Sequence, residues 1–187
     1  MGKKQLIYDA VLKISNDGGL SSTPMSKIAN EANIAAGTIY RYFENKEQLL
    51  SEIYTTITDE LIEVIDSNYD KSSSSEDNIK IIWKSILMFY LSNPLQIKFM
   101  QEYKASFNSS ADVIARSNDI FSLFTKVVHQ AADEGVVKKI SCAAMSSFIM
   151  GPISELFNYN ASGIVVVNET IINESFDILW DGIKVSN

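Results

Sequence analysis

The sequence predicts an all-α chain of about nine helices, a three-helix head at the N-terminus followed by a larger helical body. Three observations predict it. Apolar residues recur at i, i+3, i+4 and i+7 through segment after segment, the period of an amphipathic helix. Gly18-Gly19, Pro94 and Gly135 interrupt that period where helices should end. One segment, residues 76–93, is apolar nearly all round, as a helix at the centre of a packed body is. At 187 residues and 46% apolar content, the chain fits one or two compact units. The expected division is a head over residues 1–50 and a body over residues 51–187.

Residues 3–17 place Leu6, Ile7, Ala10, Val11 and Ile14 on one side of a first helix, with Gly18-Gly19 as its stop. Thr23 as N-cap and Pro24 at the first helical position prepare the second. That helix carries Met25, Ile28, Ala29 and Ala32, and Asn33 ends it by accepting left-handed angles. A third, over residues 36–43, sets Ile39 and Phe43 on one face, and Ile34 packs under both helices. Residues 46–69 make a long helix with a stripe of Leu49, Leu50, Ile53, Ile57, Leu61, Val64 and Ile65. At 1.5 Å per residue it spans roughly 36 Å, the length of a mechanical connector between head and body. Residues 70–75 read as a flexible, serine-rich loop. Helices follow over 76–93, 95–107, 112–134, 141–160 and 168–184. Gly151-Pro152 should kink the fourth of these, and the β-prone tetrad 164–167 sits in a loop.

Residues 25–50 carry the pattern with chemistry in it. With Ile34, Ile39 and Phe43 turned inward, the third helix shows Ala36, Gly37, Thr38, Tyr40, Arg41 and Tyr42 to the outside. Small residues at a helix start let a backbone approach a groove closely. Thr38 and Tyr42 offer hydroxyls to phosphates, while Tyr40 and Ala36 can touch base edges or thymine methyls. Lys46 stands in the first turn of the next helix, where a phosphate also meets free backbone N–H groups. Two short helices, a turn and this outward face have the shape of a helix-turn-helix DNA reader.

Thr23-x-Met25-x-x-Ile28-Ala29, Ala32-x-Ile34 and Gly37-Thr38-Ile39-Tyr40-x-Tyr42-Phe43-x-x-Lys46-x-x-Leu49-Leu50 together resemble the DNA-binding domain of the TetR family of repressors. The match spans nearly thirty residues, and a helical remainder of the expected length follows it. Two positions depart from the family pattern. Asn33 stands where glycine is usual, and Ala35 replaces the usual Ser or Thr at the N-cap of the reading helix, a loss of about 1 kcal/mol. The resemblance implies that Thr23 and Ser26 also lie close to the DNA backbone, and that Lys3 and Lys4 can reach a phosphate. It further implies a homodimer on a palindromic double-stranded operator, released by a small-molecule effector held in the body. The alternative within this fold is a co-activator or protein-interaction adaptor.

The body concentrates aromatics and methionines. On their own these read first as a packed core. The resemblance turns Trp83, Met88, Tyr90, Phe99, Met100, Tyr103, Phe107, Phe121 and Phe124 into candidates for an effector cavity suited to an apolar or aromatic molecule. Lys98, Lys104, Arg116 and His129 are candidate polar anchors. It also implies a four-helix dimer interface from the last two helices, carried by Phe148, Pro152, Phe157, Phe176, Trp180 and Ile183.

The net charge of −7 belongs to the body. Residues 1–50 hold six basic and five acidic side chains, for +1, and the remainder is −8. A near-neutral head predicts modest non-specific DNA affinity with steep salt dependence. An enzyme is disfavoured: there is one His, one Cys (Cys142), no glycine-rich phosphate loop and no cluster at metal-ligand spacing, so neither metal nor cofactor is expected. A single cysteine, no apolar run of about 18 residues and a charged start without an apolar core following it predict a cytoplasmic protein with no membrane partner.

Overall fold

The computed structural model describes the backbone of residues 2–17, 19–107 and 111–186, and the side chains of these residues apart from 107, 111–121 and 142. The described residues form nine α-helices and no strand, the all-α architecture expected. They are α1 (Lys3–Asn16), α2 (Met25–Glu31), α3 (Ala36–Ile39), α4 (Lys46–Asn68), α5 (Ser75–Ser92), α6 (Pro94–Phe107), α7 (Ala111–Asp133), α8 (Cys142–Ala161) and α9 (Glu169–Ile183). Gly18, one half of the expected glycine stop, lies outside the described residues.

The chain divides into two compact units, and not at residue 50. The first comprises Met1–Glu60 with Asn93–Ser117, the second Leu61–Ser92 with Asn118–Asn187. Helix α6 accounts for the difference. Its buried face of Ile97, Phe99, Met100 and Tyr103 is apolar enough to belong to any core, but it packs on α1 in the first unit. Tyr103 meets Tyr54 of α4 at 4.9 Å between ring centroids and stacks on Phe99 at 5.8 Å. The first core is completed by Ile7, Val11, Ile14, Leu20, Ile28, Ile39, Phe43, Leu49, Leu50 and Ile53, all buried. Helix α4 contributes residues to both units.

In the second unit α5 packs on α8 and α9. Trp83 is fully buried, lies 5.7 Å from the Phe176 ring and donates its indole N–H to the Ile149 carbonyl at 3.1 Å. That bond ties α5 to α8 just before Pro152, at a carbonyl other than the Phe148 one that the proline leaves without its ladder donor. Pro152 sits inside α8 and has no N–H, so the helix continues through a position where its own ladder lacks a donor. The last residues of the chain close the unit by an isolated antiparallel bridge between Val137 and Lys184, with Lys138 N–H donating to the Ile183 carbonyl at 2.8 Å.

Two local expectations change. The serine-rich turn is tied together: Asp70 accepts hydrogen bonds from Ser72 and Ser73, and the Asn78 side chain bonds the Asp70 backbone from both sides. Short polar side chains next to backbone N–H groups are what closes such a turn. Thr23 is not the N-cap of α2. Pro24 holds that place, and Thr23 is buried with its hydroxyl donating to the Gly19 carbonyl at 2.9 Å.

Trp83→Phe keeps an aromatic ring beside Phe176 but removes the indole donor and some volume. We expect a loss on the order of 1–3 kcal/mol in urea unfolding at fixed protein concentration. An unchanged midpoint would mean that the indole bond contributes nothing net.

Candidate nucleic-acid interface and body cleft

The turn between α2 and α3 is built as the residues require. Asn33 takes φ 53°, the left-handed angle for which glycine is otherwise used. Asn33 N–H then reaches Asn30 O at 3.1 Å and Ile34 N–H reaches Ala29 O at 3.0 Å. Ala35 occupies the N-cap of α3 and makes no side-chain cap bond, so that departure from the family pattern is a real gap. Helix α3 is shorter than the expected residues 36–43. Its α-helical part is Ala36–Ile39, after which Arg41 N–H bonds Thr38 O and Tyr42 N–H bonds Ile39 O in a tightened last turn.

Ile39 and Phe43 are buried and pin this short segment down. The opposite face stands open, with Tyr40 58% and Tyr42 44% exposed beside exposed Ala36, Gly37 and Arg41 and half-buried Thr38. A Cβ added at Gly37 would meet nothing within 4 Å, so no internal contact calls for glycine there. Ser26 is exposed on α2, and Lys46 is half-buried at the start of α4. Of the nine residues assigned to this face from the sequence, Thr23 alone turns inward, because its hydroxyl closes the α1–α2 turn.

The cations around the face are partly engaged. Lys46 Nζ donates to the Ser21 carbonyl at 2.7 Å. Burial lowers its ammonium below the ordinary lysine value, and the charge of Glu102 opposes that. Lys4 is ion-paired with Glu52, which also accepts the Tyr8 hydroxyl at 2.9 Å. Its ammonium lies 5.8 Å from the ring centroids of both Tyr8 and Phe43, so Lys4 braces α1 against the head. Lys3 is exposed. Glu102 of α6, in contact with the α1–α2 turn, carried no sequence signal at all.

In the second unit a cleft of about 240 Å³ opens between the later part of α7, residues 138–140 and the start of α8. Phe124, Val128, Met145 and Ile149 make apolar walls, Ile140 forms an exposed lip, and His129, Asp133, Lys138 and Lys139 supply polarity. Of the seven effector candidates whose side chains are described, only Phe124 lines it. Trp83 is spent in the core, Met88 is exposed, and half-buried Tyr90 packs edge-on against Phe157. Phe99, Met100 and Tyr103 belong to the first unit. The side chains of Phe107, Phe121 and Arg116 lie outside the described residues. Among the other proposed anchors, Lys98 bonds Asn16 at 2.9 Å, and burial lowers the Lys104 ammonium from its ordinary value.

Three of the six dimer candidates are corrected in the same way. Phe157, Phe176 and Ile183 are buried within the protomer, since the inner arcs of α8 and α9 meet α5 and each other. The outward apolar face is instead Phe148, 49% exposed, Ile178, 72% exposed, and Tyr159, with Pro152 and Trp180 half-buried. Gly182 lets Phe148 lie against α9, for an added Cβ would stand 2.8 Å from its ring. No cluster of three or more His, Cys, Asp or Glu side chains among the described residues could hold a metal ion, and no described helix is long and apolar enough to cross a membrane.

A helix-turn-helix head with an open reading face, carried on a helical body, defines a DNA-binding transcriptional regulator. Comparison with known proteins agrees. Residues 7–53 match the model for bacterial regulatory proteins of the tetR family, and residues 76–184 match a tetracyclin repressor-like C-terminal domain. An uncharacterized HTH-type transcriptional regulator of Bacillus subtilis, YhgD, is 30% identical over 79% of this chain and 78% of its own. An uncharacterized HTH-type transcriptional regulator of Haemophilus influenzae is 29% identical over 72% of this chain and 71% of its own. The crystal structure of a TetR family transcription regulator from Marinobacter aquaeolei VT8 superposes with a TM-score of 0.88 at 22% identity, covering 98% of this chain and 96% of that one. The chain belongs to the TetR family of transcriptional regulators, a family of regulators and not of enzymes.

The Lys4 hydrogen bond holds the Glu52 carboxyl below its ordinary value, with the Tyr8 bond acting in the same direction against burial. A carboxylate depressed in the folded state adds stability above its unfolded pKa and loses it as pH falls through the folded one. The acid limb of the stability curve, below the ordinary carboxylate value of 4.5, should therefore flatten in Glu52→Gln. Both partners are partly exposed, so the neutral-pH cost should stay below about 1 kcal/mol. Thermal melts across pH 3 to 7, on the order of the carboxylate range, check this; identical acid limbs in the two proteins would refute it.

Proposed function

We propose that this protein is an effector-responsive repressor that binds a palindromic operator as a homodimer in the cytoplasm and is released by a small, mostly apolar or aromatic molecule. The open face of α3 carries the reading. Six candidate positions, Ala36, Gly37, Thr38, Tyr40, Arg41 and Tyr42, cluster there, while Ile39 and Phe43 do the packing behind them. Gly37, which no internal contact requires, leaves room for close approach of the α3 backbone to a groove.

A dimer built on the outward face of α8 and α9 supplies two such heads, and a rigid pair reads half-sites about one turn of DNA, roughly 34–36 Å, apart. Phe148, Tyr159 and Ile178 form an apolar face that a lone protomer has no reason to display. The cleft beside Phe124, at about 240 Å³, suits an effector smaller than a typical drug molecule. Its apolar walls favour the hydrocarbon part, and Lys138, Lys139 and His129 provide a polar end. To act as a switch the effector must bind the DNA-incompetent state more tightly than the competent one, and α4, shared by both units, is the element it would bias.

A co-activator or adaptor role is the second reading. The uncapped start of α3 and a head of net charge +1 favour it. Selection from a random double-stranded DNA pool separates the two, since a repressor enriches a palindrome at moderate salt and an adaptor enriches nothing.

Tyr40→Ala and Lys46→Ala should each weaken binding by about tenfold, with Lys46→Ala also reducing the salt slope by about one. Both proteins should stay dimeric by sedimentation. Native operator affinity in both would remove α3 and the start of α4 from the DNA interface. Ile178→Asp puts a charge on an exposed position and should leave the fold intact while lowering the dimer fraction at least tenfold, on the order of 1–3 kcal/mol. A dimer unmoved by that charge would place the interface elsewhere.

A further inference from the structure

The α1–α2 turn is held from one side by α6 and from another by α4. Gly19 has φ +102°, which turns successive backbone N–H groups toward one point. Glu102 Oε1 fills that point, accepting Leu20 N–H at 2.7 Å and Gly19 N–H at 3.2 Å. Its other oxygen accepts the buried Ser15 hydroxyl at 3.0 Å. One turn further along α6, the Ser106 and Ser21 hydroxyls meet at 2.7 Å, and one turn back Lys98 holds Asn16. The Ser21 carbonyl, next in the chain after Leu20, is the group that Lys46 Nζ grips at 2.7 Å.

We infer that Glu102 is a positioning residue for DNA binding: from α6 it seats the backbone of Gly19 and Leu20, which in turn seats Ser21 and sets Lys46 at the DNA face. This rests on the reading of Lys46 as a phosphate contact. It adds that a helix with no residue on the reading face sets the geometry of that face. A carboxylate is the right group, because it is acceptor-only and can serve three donors through two oxygens. Charge-assisted bonds to backbone N–H groups are also stronger than neutral ones. Glutamate at this place brings a negative charge toward phosphates, a cost with no purpose if the turn merely needed to be covered. Its use is intelligible if the turn has to be held in one position.

The test is a double-mutant cycle between Glu102 and Lys46, read on a DNA duplex of random sequence at low salt. Phosphate contacts dominate such binding, so no operator need be known. Glu102→Ala should cost about tenfold in affinity and lower the salt slope by about one, as Lys46→Ala does, and the double variant should bind within about threefold of either single one. Glu102→Gln keeps an acceptor oxygen for the two amides and should recover most of the loss. Circular dichroism melts of each variant ensure that only folded protein is compared. Additive losses, near a hundredfold in the double variant, or a Glu102→Ala protein with native affinity and slope, would overturn the inference and leave the DNA reading intact. If Lys46→Ala alone changes neither affinity nor slope, the inference falls together with the phosphate role of Lys46. Failure of Glu102→Gln to recover binding, with the cycle additive, would mark Glu102 as a support of the fold alone.

Discussion

Burial of Ile39 and Phe43 is the interaction on which the functional part of this protein depends. A helical segment of four residues has no stability of its own, because nucleating a helix costs more than one turn returns. Its N-cap makes no side-chain bond, so nothing local makes good the deficit. What holds α3 is the pair of apolar side chains beneath it, with the Phe43 ring 6.2 Å from that of Tyr8 on α1. The exposed residues of α3 are ordered only because their neighbours are buried.

The second constraint is the placement of α6. An amphipathic helix does not say which core it will join. This one joins α1 and α4, so the first unit is a DNA head with a body helix built into it. Polar groups at 98, 102 and 106, one turn apart, all meet α1 or the turn after it.

The second unit follows a different logic. Its centre is an aromatic one, Trp83 with Phe176, and stacked on the latter Trp180 at 6.3 Å. The indole also bonds the Ile149 carbonyl of α8, so the same side chain that fills the core ties α5 to α8. Because the inner arcs of α8 and α9 are used up in this way, the outward apolar residues are few. The acidic balance of the chain lies outside the first fifty residues, which leaves the reading face free of a large repulsive field.

The sequence by itself determined the helices, the reading motif and the family. Those are local matters: a 3.6-residue period, an asparagine able to take φ 53°, and the run from Gly37 to Leu50 with its spacing. It also identified which side of α3 faces out, since Ile39 and Phe43 share one face. It did not determine which apolar residues face a cavity, a partner or a core, because a buried Phe157 and an exposed Phe148 look alike in a periodic stripe. Nor did it reveal that Thr23 turns inward or that Glu102 reaches the turn at Gly19, eighty-three positions away in the chain. Such contacts depend on how helices are brought together, and helical periodicity carries no information about that.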